Sequence, residues 1–119
     1  MGVFMKVFTL KKNTEFQRVF GVGKSMANRY LVIYVLARKN DSDKKNRIGI
    51  AISKKVGKAV QRNKIKRRLK EIWRLNLNEM KDGQDIVIVA RVAIVQASYN
   101  ELEKSFLKLI DKLGLRKLT

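Results

Sequence analysis

The stretch from Lys54 to Arg74 is almost uniformly cationic, with Glu71 its only acid and Arg62-Asn63-Lys64 at its centre. Lys54, Lys55, Lys58 and Arg62 crowd the approach to an expected helix N-terminus, where the macrodipole already disfavours positive charge. An isolated protein gains nothing from that placement. A phosphate changes the balance, because free backbone N–H groups and cationic side chains then converge on one anion. The competing reading pairs Arg62 with an internal acid, Asp85 or Glu101, folded back onto it. Chemistry by the chain itself is poorly provided for. There is no cysteine and no histidine, so a Cys-His pair, a Ser-His-Asp triad and an ordinary zinc site cannot be assembled. A magnesium-dependent nuclease would have to use Asp82, Asp85 or Glu101, acids scattered among opposite charges.

A second constellation is aromatic. Phe16 and Phe20 lie four residues apart on one side of an expected helix, and Tyr34 shares a strand face with Tyr30 and Val32. If Ile48, Ile50 and Ile52 mark the core, then Gly49, Ala51 and Ser53 leave the opposite strand face nearly flat beside Tyr34. The product is a shallow trough for an extended backbone. Its rings could stack on unpaired bases, worth roughly 1–3 kcal/mol each. Periodicity alone favours the other use of Phe16 and Phe20, as a pair stapling the helix to its sheet.

These groups need elements to position them. Thr14 can cap a first helix, with Gln17 reaching back, and Gly21 and Gly23 end it. A polar stretch from Lys24 to Arg29 precedes a strand, Tyr30 to Ala37, apolar on both faces. A turn-rich loop from Lys39 to Asn46 leads to the strand Arg47 to Ser53. The long basic helix then runs from about Ala59 to Met80, with Ile65, Leu69, Ile72, Trp73 and Met80 on one stripe. Lys64, Lys66, Arg67, Lys70 and Arg74 fall on the remaining surface. A turn at Lys81-Asp82-Gly83, a strand from Asp85 to Arg91 and a helix near Ser98 to Leu113 complete the chain. The expected fold is one α+β domain over residues 1–119, with a central sheet and a long basic helix.

Composition narrows the partner. Lys and Arg number 28 against 10 Asp and Glu, a formal charge of +18 over 119 residues. Solubility needs far less, so a polyanion is the natural partner. The absence of cysteine suits a reducing compartment, and Met1 to Leu10 resembles neither a signal peptide nor a membrane span. A cytoplasmic location is expected.

The run from Ser53 to Glu71, SKKVGKAVQRNKIKRRLKE, closely resembles the signature of the bacterial ribonuclease P protein subunit. The resemblance extends to Leu10-Lys11-Lys12-Asn13, Phe16-Gln17-Arg18-Val19-Phe20, Gly23, Ser25, Ala27-Asn28-Arg29, Tyr34 and the run Ile86 to Arg91. The family's motif is often Arg-Asn-Arg; here Lys64 keeps the charge and loses the bidentate fork. The resemblance implies an α/β sandwich with a left-handed β-α-β crossover, against the general handedness rule. It implies that a catalytic RNA and its magnesium ions cut the 5′ leader from precursor transfer RNA, the protein itself binding no predictable cofactor. Carried over, Arg62, Asn63, Lys64, Lys66, Arg67 and Lys70 would contact RNA, and Phe16, Phe20 and Tyr34 would line a leader groove. A general or ribosome-associated RNA-binding protein is the alternative that charge alone supports equally well.

Overall fold

The computed structural model describes residues 8–38 and 44–117. Its elements are β1 (Phe8–Thr9), α1 (Asn13–Val22), β2 (Lys24–Ala27), β3 (Leu31–Ala37), β4 (Arg47–Ile52), α2 (Ala59–Asn76), β5 (Gln84–Ala90) and α3 (Tyr99–Lys112). Short helical turns at Lys54–Val56, Leu77–Glu79 and Val92–Gln96 join them. Of the loop expected over Lys39 to Asn46, residues 39–43 lie outside the described residues. The strands form one mixed sheet in the order β1-β4-β5-β3-β2. β3 runs antiparallel to β2 and β5, whereas β4 is parallel to both β5 and β1.

Alternation along the strands sorts side chains onto two layers. Leu31, Ile33, Val35, Ile48, Ile86 and Ile88 face α2 and α3 and join the main core. There the expected helix stripe, Ile65, Leu69, Ile72, Trp73 and Met80, is buried as a unit. Trp73 and Phe106 meet edge to face at 6.3 Å, tying α2 to α3. Ser98 caps α3: its hydroxyl accepts the Glu101 N–H, and Glu101 accepts the Ser98 N–H. Those hydrogen bonds hold the Glu101 carboxyl below its ordinary value. The opposite sheet face carries a smaller cluster of Leu10, Val19 and Val87, covered by α1.

The hand of the β4-α2-β5 crossover follows from backbone direction. The Leu10 N–H donates to the Ile48 carbonyl at 2.9 Å, so that carbonyl points at β1 and away from β5. For an L-residue running upward with its side chain toward the viewer, the carbonyl points right. Ile48 presents its side chain to α2, so from the helix side β1 lies right of β4 and β5 lies left. The Arg91 N–H to Tyr30 carbonyl bond gives the same hand. The crossover is therefore left-handed, as the resemblance implies.

Four local expectations are corrected. α1 starts at Asn13, and its first turn is anchored by Glu15, not by Thr14 and Gln17. The Glu15 carboxylate accepts the Lys12 and Lys11 N–H groups at 2.9 and 3.1 Å and also binds Arg47. Backbone hydrogen bonding first, then the Arg47 charge, hold its carboxyl below the ordinary glutamate value. The polar stretch after α1 contains the edge strand β2, whose four side chains are all exposed. With neither face buried it leaves no periodic signal; pairing with β3 makes it a strand. Finally, α2 ends at Asn76, whose side chain donates back to the Ile72 carbonyl at 2.8 Å, and Met80 is buried beyond the helix. Sequence reading also missed the two-residue β1.

Gly49 is where α1 meets the sheet most closely. A Cβ there would meet the Phe16 ring, with Cζ at 2.6 Å. Gly49→Ala should therefore cost about 1–3 kcal/mol by overpacking. Urea unfolding measures this, and a loss below roughly 0.5 kcal/mol would mean that Phe16 does not rest on Gly49.

Candidate nucleic-acid interface

Two surfaces collect the residues singled out by sequence. The first is the start of α2. The chain leaves β4 at Ile52, makes the turn Lys54–Val56 and opens α2 at Ala59, with no acid in the first turn and no side-chain cap on Lys58. Lys54, Lys55, Lys58, Asn63, Lys64, Lys66 and Arg67 are exposed, and Arg62 and Lys70 are half-buried. Among the described residues none of these cations is in an ion pair, and the one acid of the same helix is engaged elsewhere. Glu71 binds Arg74 at 2.6 Å, and that hydrogen bond lowers the Glu71 pKa and raises that of Arg74.

The internal partners considered for Arg62 are also taken. Asp85 lies between Arg38 and Arg47, at 2.6 and 2.7 Å, and Glu101 caps α3 and accepts from the Tyr30 hydroxyl. Arg62 sits in line with the buried Ile65 and Leu69, and its Nε is buried without a hydrogen-bond partner among the described residues. The arrangement leaves a guanidinium anchored in the fold at the foot of an uncapped, cation-ringed helix N-terminus. Its chemistry is anion holding.

The second surface is the α1 face of the sheet. Register aligns Gly49, Val87, Tyr34 and Ser25 in one cross-strand row and Ala51, Val89, Val32 and Ala27 in the next. α1 lies over the first row from Gly49 to Tyr34 and leaves Ser25 exposed. Phe16 is half-buried over Gly49, and Phe20, 40% exposed, meets the half-buried Tyr34 edge to face at 4.8 Å. In the second row Ala51, Val89 and Val32 are half-buried and Ala27 is exposed. The result is an apolar floor with two rings along one wall. Both readings of the aromatics hold in part: Phe16 staples the helix, and Phe20 and Tyr34 present ring surface outward.

Sequence reasoning did not single out Val32, Val89 and Ala27 as floor residues. The alternation of β3 and β5 contained that information for the first two; Ala27 required the pairing of β2. Asn28, matched only by resemblance, has a visible structural duty. Its side chain accepts the Tyr30 and Leu31 N–H groups and donates to the Ser105 carbonyl, locking the β2-β3 turn onto α3.

Among the described residues no three acidic side chains converge, and Asp85 and Glu101 are committed as above. Among the same residues no helix is long and apolar enough to cross a membrane.

Comparison with known proteins gives one consistent answer. The family described as Ribonuclease P matches residues 4–114. The chain is 46% identical over 113 residues to the ribonuclease P protein component of Clostridioides difficile, covering 94% of this chain and 96% of that one. It is 49% identical over 116 residues to that of Clostridium kluyveri, covering 95% and 100%. Among solved structures, the Staphylococcus aureus RNase P protein superposes with a TM-score of 0.85 at 32% identity, covering 94% of this chain and all of that one. The Thermotoga maritima RNase P protein gives 0.78 at 30% identity, over 87% of this chain and 96% of that one. With sequence and fold agreeing over nearly the whole length, the chain belongs to the bacterial ribonuclease P protein family, the protein component of the endoribonuclease that processes transfer RNA.

Proposed function

We propose that residues 1–119 act as one RNA-holding domain, in the cytoplasm, that binds the catalytic RNA of ribonuclease P through the start of α2. On the α1 face of the sheet, the same domain holds the 5′ leader of precursor transfer RNA. The observation that carries the reading is the pairing of an unneutralised cationic helix start with a separate half-open aromatic trough. One surface is suited to phosphates and the other to unpaired bases. Lys54, Lys55, Lys58, Arg62, Asn63, Lys64, Lys66, Arg67 and Lys70 hold the catalytic RNA; Phe16, Phe20 and Tyr34 contact the leader. Magnesium belongs to the RNA, where it supplies the hydrolytic chemistry. The protein's residues bind and orient, and none of them is assigned a catalytic step.

Arg62→Ala and Lys66→Ala test the helix. Each should weaken binding to the catalytic RNA while thermal unfolding stays close to that of the parent chain. The slope of log affinity against log salt should shrink by roughly 0.7–0.9 per lost phosphate contact. Unchanged affinity and slope for both variants would remove α2 from the binding surface.

A further inference from the structure

α1 has a second flank. At 3.6 residues per turn, Phe16 and Phe20 lie on one side of the fully buried Val19, and Arg18 and Val22 lie on the other. That other flank opens into a cavity of about 660 Å³, between the end of α1, the start of β2, the end of β3 and the turn after α3. Its rim carries Arg18, Lys24 and Lys81, and no acid lines it. Among the described residues none of the three cations is in an ion pair; nearby Asp111 is held by Arg116 at 2.9 Å. Apolar walls come from Val22, Leu36 and Leu113, with Val22 71% exposed at the rim.

Cavities of about 300–1,000 Å³ accommodate one small molecule or residue. Apolar walls under a ring of three unpaired cations match one nucleotide, its base inside and its phosphate and the flanking phosphates at the rim. The cations come from three separate segments, α1, β2 and the turn before β5, a set that fits successive phosphates of a polynucleotide better than one free phosphate ester. α1 separates this opening from the aromatic trough, so a strand lying in the trough would have to cross the helix to reach it.

We infer that this cavity is a second RNA site, taking an unpaired nucleotide of the catalytic RNA rather than of the leader. The inference rests on the proposed association with that RNA and adds a contact at the end of the sheet opposite the start of α2. Both RNA contacts together then fix the protein's orientation on its partner, which one cationic helix alone does not do.

The chain has no cysteine, so Val22→Cys provides a single attachment point for a photo-crosslinker at the cavity rim, and Asn63→Cys provides a matched control on α2. In the assembled particle with precursor transfer RNA, the rim probe of Val22→Cys should crosslink an unpaired nucleotide of the catalytic RNA, at a position different from that reached by the helix probe of Asn63→Cys. In parallel, Arg18→Ala/Lys24→Ala/Lys81→Ala should weaken catalytic-RNA binding about tenfold and shrink the salt slope by roughly 2–3, at roughly 0.7–0.9 per contact. Its preference for precursor over mature transfer RNA should not change. A crosslink from the rim probe to the leader, or to a second protein, overturns the assignment. So does an absent rim crosslink or an unaltered affinity of the triple variant while the α2 control and Arg62→Ala behave as expected. If the α2 control and Arg62→Ala also fail, the association itself is wrong and the cavity site falls with it.

Discussion

Asp85→Ala should lower the unfolding free energy by about 3–5 kcal/mol, a large share of the roughly 5–15 kcal/mol typical of a domain. Asp85 is 2% exposed at the start of β5. Its Oδ1 accepts from Arg38 Nη1 at 2.6 Å and Arg47 Nε at 2.8 Å, and its Oδ2 from Arg47 Nη2 at 2.7 Å. Removing the carboxylate leaves the Arg38 side chain, 5% exposed, beside the half-buried Arg47 with no carboxylate between the two guanidinium groups. The network continues outward, because Arg47 also donates to Glu15 at 2.8 Å and so ties the first turn of α1 to the sheet. α1 carries one wall of the trough, so the damage should spread to RNA contacts that Asp85 never touches. Stability to chemical denaturation and the precursor preference should fall together. A variant within about 1 kcal/mol of the parent chain would show that the buried pair is dispensable.

Phe20→Ala and Tyr34→Ala should each reduce the preference for precursor over mature transfer RNA by roughly 5- to 150-fold, the equivalent of about 1–3 kcal/mol of base stacking. Only the precursor carries a leader, so binding of mature transfer RNA should barely change. Partial exposure makes the experiment readable. A fully buried Phe costs about 3–5 kcal/mol on truncation, whereas Phe20 is 40% exposed and touches Tyr34 by its edge, so both variants should remain folded. The T-shaped contact also couples them: the double variant should lose less than the sum of the singles. Equal losses for precursor and mature RNA, or unfolding near room temperature, would return the rings to a purely structural role.

The long-range architecture was legible where burial imposes a period. The stripe Ile65, Leu69, Ile72, Trp73 and Met80 stands out at 3.6 residues, and the alternation Ile48-Gly49-Ile50-Ala51-Ile52 separates core face from flat face at period two. Both survive in the structure, except that Met80 joins the core from beyond the end of α2. Features set by pairing or by distant partners were not legible. β2 buries no side chain, so only its hydrogen bonds to β3 define it. Glu15 takes the place of the expected Thr14 cap by accepting the Lys12 and Lys11 N–H groups, and Arg47, far away in sequence, adds an ion pair to the same carboxylate. The left-handed crossover was implied by family resemblance alone, since hydrophobic spacing carries no sign of hand.

The basic surface was legible as composition and as placement, because a helix start without an acid among four cations is visible in the letters. Phe16, Phe20 and Tyr34 were legible only as a choice between core and trough. The choice turns on Gly49, whose missing side chain lets Phe16 settle onto the sheet while Phe20 stays half outside. The cavity beyond Arg18 was not legible, because it joins segments far apart in the chain that no local pattern connects.

Cleavage of precursor transfer RNA at moderate magnesium, with the protein alone, the catalytic RNA alone and both together, decides whether the chain serves an RNA catalyst. The protein alone should give no cleavage, the RNA alone slow cleavage, and only the combination efficient 5′ maturation. Cleavage by the rigorously RNA-free protein, or a combined rate no higher than that of the RNA alone, would contradict that role.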